Sequence, residues 1–398
     1  MKNYPTFKLI GILTPFVFSF AFGLDIYIPI IPQMVQIFDT TPALIQLTLS
    51  LFLFITGFGQ LFVGPLTDHF GRRKILYASV IFFTLGSLTC ASSHHIYGLI
   101  FGRIVSAFGA CGMLVTAFAI IRDLFSGNEN AKMYSFLNGG IGISPLFAPI
   151  LGGYLSLYFG WKSIFIFLAL IGTFAFFINQ ILIQETLEVD KRTKVSRSIF
   201  KRYVQIFSHK QFLVHAVIAG LAESVLFCFF SISPFIIINL LEVPTEEFGY
   251  YFAAFGCVIA FGGIASGKMS EKIGAHFTVR LGIHLMFIGG SSMLVWYYFA
   301  SLSLAGFLIP MVIACTGAMF LLGSSASKAM EPFGHIAGTA SAAFGSLEFG
   351  IAALVGSILM IFPVNSTIPY AITILLIAFT AYSLFQVSPR PAKSIETV

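Results

Sequence analysis

Gly64-Pro-Leu-Thr-Asp68-His-Phe-Gly71 returns 203 positions later as Gly267-Lys-Met-Ser-Glu271-Lys-Ile-Gly274. Glycine, acid and glycine keep the same spacing in both copies. The same offset carries Gly142 onto Gly345 and Gly153 onto Gly356. One such match means little in a chain with 37 glycines, but five at a constant offset point to an internal duplication. Each copy of the motif closes a long apolar run, and the first continues into Arg72-Arg73-Lys74.

Working outward from these motifs, the whole chain is apolar. Of 398 residues 57% are hydrophobic and only 10% are charged, with 47 phenylalanines. A soluble domain is closer to a quarter charged, so too little charge is present to solvate the surface of two soluble domains. This excludes a soluble enzyme, a disordered chain and a nucleic-acid-binding domain. The five cysteines lie inside apolar runs without CxxC spacing, which favours small packing residues over zinc or a disulfide framework. No phosphate loop ending in Lys-Ser/Thr is present, so no ATP site, enzyme activity or cofactor is expected.

A membrane-crossing helix needs about 20 mostly apolar residues. Twelve stretches qualify: 9–36, 43–66, 75–93, 96–122, 133–157, 162–184, 212–240, 247–268, 278–299, 304–328, 335–361 and 367–387. The expected fold is therefore an all-α polytopic membrane protein of two six-helix bundles. The longest internal polar stretch divides it into an N-terminal bundle (1–184), a cytoplasmic linker (185–211) and a C-terminal bundle (212–398). Lys and Arg accumulate on the cytoplasmic side of membranes. With the N-terminus inside, 20 of the 22 basic residues fall on that side, among them Lys2, Lys8, Lys191, Arg192, Lys194, Arg390 and Lys393. Lys162 alone lies in an outer loop, and Arg103 is inside a span. Both termini are expected in the cytoplasm. The net charge of +6 then reports topology and contact with anionic lipid.

Two parallel six-helix repeats are one known plan of secondary transporters. The turn Gly64-x-Leu66-x-Asp68-x-x-Gly71-Arg72-Arg73-Lys74 resembles the loop signature of the major facilitator superfamily. Its glycines would let spans two and three approach closely, and Asp68 would satisfy a helix N-terminus. Asp123 at the end of span four would join Asp68 and Arg72 in a cytoplasmic gate. Span five, Gly139-Gly140-Ile-Gly142-Ile-Ser144-Pro145-Leu-Phe-Ala148-Pro149-Ile-Leu-Gly152-Gly153, resembles the Gly- and Pro-rich fifth span of that superfamily's exporters. Gly140, Ser144, Ala148 and Gly152 form a smooth stripe, and Gly338, Ala342, Ser346 and Gly350 a comparable one in span eleven. Pro145 and Pro149 would kink or loosen their helix.

Asp25-x-Tyr27-x-Pro29-x-x-Pro32, Ser233-Pro234-Phe235 and Phe159-Gly160-Trp161 resemble the bicyclomycin-resistance (Bcr/CflA) type of drug:proton antiporter. The resemblance implies proton-driven export of small amphipathic compounds or drugs through a bacterial inner membrane, by a monomer, with no nucleic-acid partner. A specific metabolite or siderophore carrier of the same fold, or a receptor or scaffold that does not transport, are the other readings. Glu223 and Glu348 fall outside the family pattern.

Ionisable groups at membrane depth are costly and mark function. Four are expected to couple transport to protons: Asp25, Arg103, Glu223 and Glu348. Counting ~1.5 Å per residue, Asp25 lies ~16 Å below the outer end of span one and Arg103 ~11 Å below that of span four. A direct or water-bridged Asp25–Arg103 interaction is expected, either as a static pair or as a coupling device in which a cationic substrate competes with the proton. Glu223 is either a cation or second proton site, or a protonated carboxyl between helices. Tyr27, Phe227 and Phe230 are expected to line the substrate cavity.

Overall fold

The computed structural model describes residues 6–125, 127–187, 190 and 197–387. The basic residues Lys2, Lys191, Arg192, Lys194, Arg390 and Lys393 lie outside them. The described residues form helices without strands, twelve of them long and apolar enough to cross a membrane. Span one is built of α1 (Thr6–Asp25), a 3-10 turn (Ile28–Ile30) and α2 (Ile31–Ile37). Spans two to six are α3 (Pro42–Phe70), α4 (Arg72–Ser92), α5 (Ile96–Leu124), α6 (Gly127–Phe159) and α7 (Lys162–Ile181). A short helix α8 (Arg197–Phe207) precedes span seven, α9 (Lys210–Pro234), which continues as a π-helical turn over Phe235–Leu240. Spans eight to twelve are α10 (Thr245–Ile273), α11 (Ala275–Ala300), α12 (Leu304–Met330), α13 (Ala337–Leu359) and α14 (Ile368–Val387).

The packing repeats between halves. Span four packs on spans one, two and three, and span ten on spans seven, eight and nine. Span two crosses to span eleven and span five to span eight, joining the two six-helix bundles. The duplicated turn has the same backbone in both copies. Gly71 and Gly274 take φ of 97° and 89°, a left-handed conformation that favours glycine, and each N–H closes the preceding helix on Thr67 or Ser270.

The basic residues gather at one end of the molecule, at helix ends such as Arg72, Arg122, Lys210, Lys272 and Lys328. At the opposite, far end the halves are tied by hydrogen bonds. Gln33 donates to Thr245 (3.1 Å), Gln46 donates to Ser231 (2.6 Å), and the Tyr154 and Tyr250 hydroxyls are 2.8 Å apart. At the basic end the halves enclose a cavity of about 700 Å³ walled by Gln60, Asp68, Arg122, Tyr134, Arg202 and Thr339. The stretch read from sequence as a plain linker thus contains a helix. Ile206 of α8 is fully buried, and the Tyr203 hydroxyl donates to the Leu61 carbonyl (3.0 Å).

Candidate functional site

The gate residues meet at the basic end. Arg72, with its side chain 2% exposed, is held by Asp68 (2.5 Å), by Asp123 through Nε (2.8 Å) and Nη2 (3.3 Å), and by the Thr67 hydroxyl (2.7 Å). Arg122 stands 3.6 Å from Asp68. The helix N-terminus is satisfied by a different acid from the one expected. Glu185, after span six, accepts the backbone N–H groups of Arg72 (2.9 Å) and Arg73 (3.3 Å), while Asp68 is occupied by the guanidinium. Arg73 donates to the Gln180 carbonyl (2.9 Å). Gly64 is surrounded by open space and brings no helices together; spans three and four make the tight crossing, where Gly86 faces the backbone of Ser106.

Span one breaks where its prolines require it. Pro29 has no N–H to donate to the Asp25 carbonyl, so α1 ends at Asp25 and the chain re-forms a helix only from Ile31. The freed Ile26 carbonyl points at Gly152 of span five so closely that a Cβ there would overlap it. This is the physical reason for the stripe. Gly140 faces Phe18, Ala148 and Ser144 are buried, and Gly152 receives the Ile26 carbonyl, so span five lies along span one. Neighbouring positions face the other way. Gly153 lies against Thr245, and Ile150 and Leu146 against Gly249 and Gly256 of span eight. Gly142 meets open space. Pro145 and Pro149 are carried inside a continuous helix and do not break it.

The expected Asp25–Arg103 pair does not form. Arg103 Nη1 donates to the Gly23 carbonyl (2.6 Å) and Nε to the Thr48 carbonyl (3.4 Å). Its guanidinium lies 4.2 Å from the Phe52 ring centre and 5.4 Å from that of Tyr27. Helix geometry explains the separation. Gly23 faces Phe52 and Phe83, and Asp25, two residues on, is turned about 200° away. Asp25 is 4% exposed and interacts with Ser144 of span five and Glu223 of span seven. The buried Ser144 hydroxyl makes no hydrogen bond of regular geometry.

Glu223 also interacts with Glu348 of span eleven, so three carboxyls from both halves share one region. Their helices are in register there. The Phe20 and Phe349 rings stack at 6.0 Å, and Gly220 packs on Leu347 and Ile351. Glu223 is half-buried between the buried Ala222 and Ser224, and Glu348 is half-buried beside Leu347 and Phe349. Gly345, one turn before Glu348, faces Gln60 in the cavity wall. Among the described residues no basic side chain forms an ion pair with any of the three acids.

The aromatic residues expected in the cavity are placed otherwise. Tyr27 is fully buried against Phe165 and the Arg103 guanidinium. Phe227 fills the space over Gly356, and Phe230 packs on Phe252 and Phe255. The helices close on these rings because their small or aromatic partners stand opposite. The far-end latch and Glu185 were not legible in advance. Their contacts join residues 212, 185 and 113 positions apart, and no local pattern announces them.

Residues 13–357 match the family model of the Major Facilitator Superfamily. The chain belongs to this superfamily. Among similar proteins is a "Bicyclomycin resistance protein homolog" of Haemophilus influenzae, 28% identical over 92% of this chain and 91% of that protein. A "Chloramphenicol resistance protein" of Pseudomonas aeruginosa is also 28% identical, over 97% of this chain and 92% of its own length. A solved D-xylose-proton symporter has the same fold, with a TM-score of 0.72 at 13% identity over 95% of this chain and 97% of the symporter. As a member of this superfamily, the protein is a transporter and not an enzyme.

Proposed function

We propose that this major facilitator protein is a proton-coupled antiporter that exports small amphipathic compounds from the bacterial cytoplasm by alternating access. It works as a monomer in the lipid bilayer. The basic end faces the cytoplasm with both termini, and the moving units are residues 1–184 and 212–398 joined by 185–211. One observation carries the reading: Asp25, Glu223 and Glu348 converge from both halves between a latched far end and a cavity at the basic end. An acid shared by two rocking bodies can be exposed to one side at a time. Proton and cargo that exclude each other there are thereby coupled, since each binding changes the affinity for the other. The drug-resistance names of the relatives support small amphipathic cargo.

The test is transport in proteoliposomes of fixed orientation under an imposed pH gradient, with chloramphenicol and bicyclomycin as probes. Gradient-driven movement that collapses with a protonophore is the expected result. Movement of the probes at equal rates with and without the gradient would overturn antiport.

A further inference from the structure

We propose, building on the reading above, that the cavity at the basic end is a cargo-binding subsite that takes uncharged or anionic compounds carrying hydrogen-bond acceptors and turns organic cations away. Its selectivity comes from two guanidiniums in the wall, Arg122 of span four and Arg202 of α8. At about 700 Å³ the cavity has the size of a small-molecule site. Among the described residues the wall holds a single carboxylate, Asp68, and that acid is already shared between Arg72 (2.5 Å) and Arg122 (3.6 Å). Arg202 has no carboxylate within ion-pair distance among the described residues. The Tyr134 and Tyr203 hydroxyls, also in the wall, donate to the Phe118 carbonyl (3.2 Å) and the Leu61 carbonyl (3.0 Å). The wall therefore carries two cations against one anion, and a guanidinium offers donors only.

Both arginines are placed by the fold. Pro65 of span two has no N–H, so the Leu61 carbonyl is left without its helical partner. The Tyr203 hydroxyl takes that carbonyl, and Ile206, three positions on, is fully buried. Ile199, Arg202 and Tyr203 stand three and four positions along one face of α8, so the anchor that fixes Tyr203 also turns Arg202 into the cavity. Arg122 depends on the other half. Its Nη1 lies 2.7 Å from the point where a Cβ on Gly338 would stand, so the missing side chain at the start of span eleven leaves room for the guanidinium. The cavity thus takes one arginine from the first half and one from the linker helix, and the second half is shaped to admit the first. A planar fork of N–H donors matches the oxygens of nitro, carbonyl and carboxylate groups. An ammonium group meets like charge there.

Chloramphenicol, its hemisuccinate ester and its deacylated amine form a charge series on one nitrophenyl scaffold: neutral, anionic and cationic at pH 7. Binding to the purified protein in detergent, measured by calorimetry, should weaken in the order ester, chloramphenicol, amine, with the amine at least ~10-fold weaker than the ester. Arg202→Gln should weaken the ester and strengthen the amine, bringing the two within about threefold. Arg202→Lys keeps the charge and should preserve the order, which separates lost charge from lost fold. An amine bound as tightly as the ester, or an order untouched by Arg202→Gln, would overturn the proposal. Phosphatidylglycerol added to the micelles should not displace the ester. Full displacement would make the two arginines a lipid-headgroup site and overturn the cargo assignment. Binding in detergent needs no gradient. Loss of gradient-driven chloramphenicol transport with the charge order intact would therefore sink the antiport reading alone. Gradient-driven transport by a protein that shows no charge order would sink this one alone.

Discussion

Arg72 and Asp123, 51 positions apart, meet through a two-pronged contact, with Nε 2.8 Å from Oδ2 and Nη2 3.3 Å from Oδ1. Asp68 completes the cage around a guanidinium that is almost wholly buried. The two acids differ in exposure, 14% for Asp123 and 39% for Asp68, and the difference sets unequal consequences for their loss.

Asp123→Ala leaves a buried cation short of its main partner, a change that typically costs about 3–5 kcal/mol. It should lower the apparent Tm and the yield of monodisperse protein. Asp68→Asn removes a half-exposed partner, where ion pairs are worth only ~0–1 kcal/mol. Yield should stay near wild type while transport falls, the outcome expected of a gate that is made in one conformation and loosened in the other. Fluorescence-detected gel filtration with a thermal ramp, alongside transport, measures both. Equal thermal shifts for the two variants would refute the difference.

Asp25→Asn should abolish gradient-driven export while the protein still inserts and runs as a monodisperse peak. Arg103→Lys gives the opposite result. It loses the planar fork that spans the Gly23 and Thr48 carbonyls and the stacking on Phe52, so thermal stability should drop. The pH profile of the remaining transport should keep its midpoint, since Asp25 does not lean on Arg103. A midpoint displaced by Arg103→Lys would return the arginine to the coupling site.

Two glycines of span five should behave oppositely. Gly152→Ala places a methyl on the Ile26 carbonyl, and spans one and five must separate. Transport should fall at least ~10-fold, in line with an overpacking cost of about 1–3 kcal/mol. Gly142→Ala enters open space and should gain slightly, by the helix preference of alanine over glycine of ~1 kcal/mol at most. Transport and Tm of the pair, measured together, check the stripe as a contact surface.

Most of the fold is legible in the sequence because its two signals are strong and local. Runs of apolar residues delimit the twelve spans, and the repeated Gly71 and Gly274 turns report a left-handed backbone that other residues rarely adopt. The carboxyls of the site are legible for the same reason: a charge in an apolar run has few structural excuses. The partners of those charges are not. Asp25 and Arg103 lie at similar depths, yet the rotation of span one after Gly23 sends them to different neighbours. Tyr27 and Phe227 are aromatic residues near the acids, but only the helix crossings decide that they fill contacts. Linear depth is read from residue counts, whereas azimuth depends on packing across the chain.

The far-end latch gives a further prediction. A Gln33→Cys/Thr245→Cys pair, in a background without the five native cysteines, should be bridged by a short bifunctional thiol reagent. The bridge should stop turnover while leaving cargo able to bind from the basic end. Excess proton at the site should not prevent cross-linking. Full turnover of the bridged protein would show that the far end need not open.

The duplicated turn has kept its backbone and its acid but lost its arginine: Ala275 stands where the first half has Arg72. Where the first half cages Arg72 between acids, the matching place in the second half holds a neutral contact, Ser270 to Ser324 at 2.7 Å. Two turns of equal shape are therefore fastened by different forces. Salt screens the buried pairs of the first only weakly, and the hydroxyl contact of the second carries no net charge. The protein is mechanically lopsided, with one arm clamped by ion pairs and the other held by hydroxyls and helix packing.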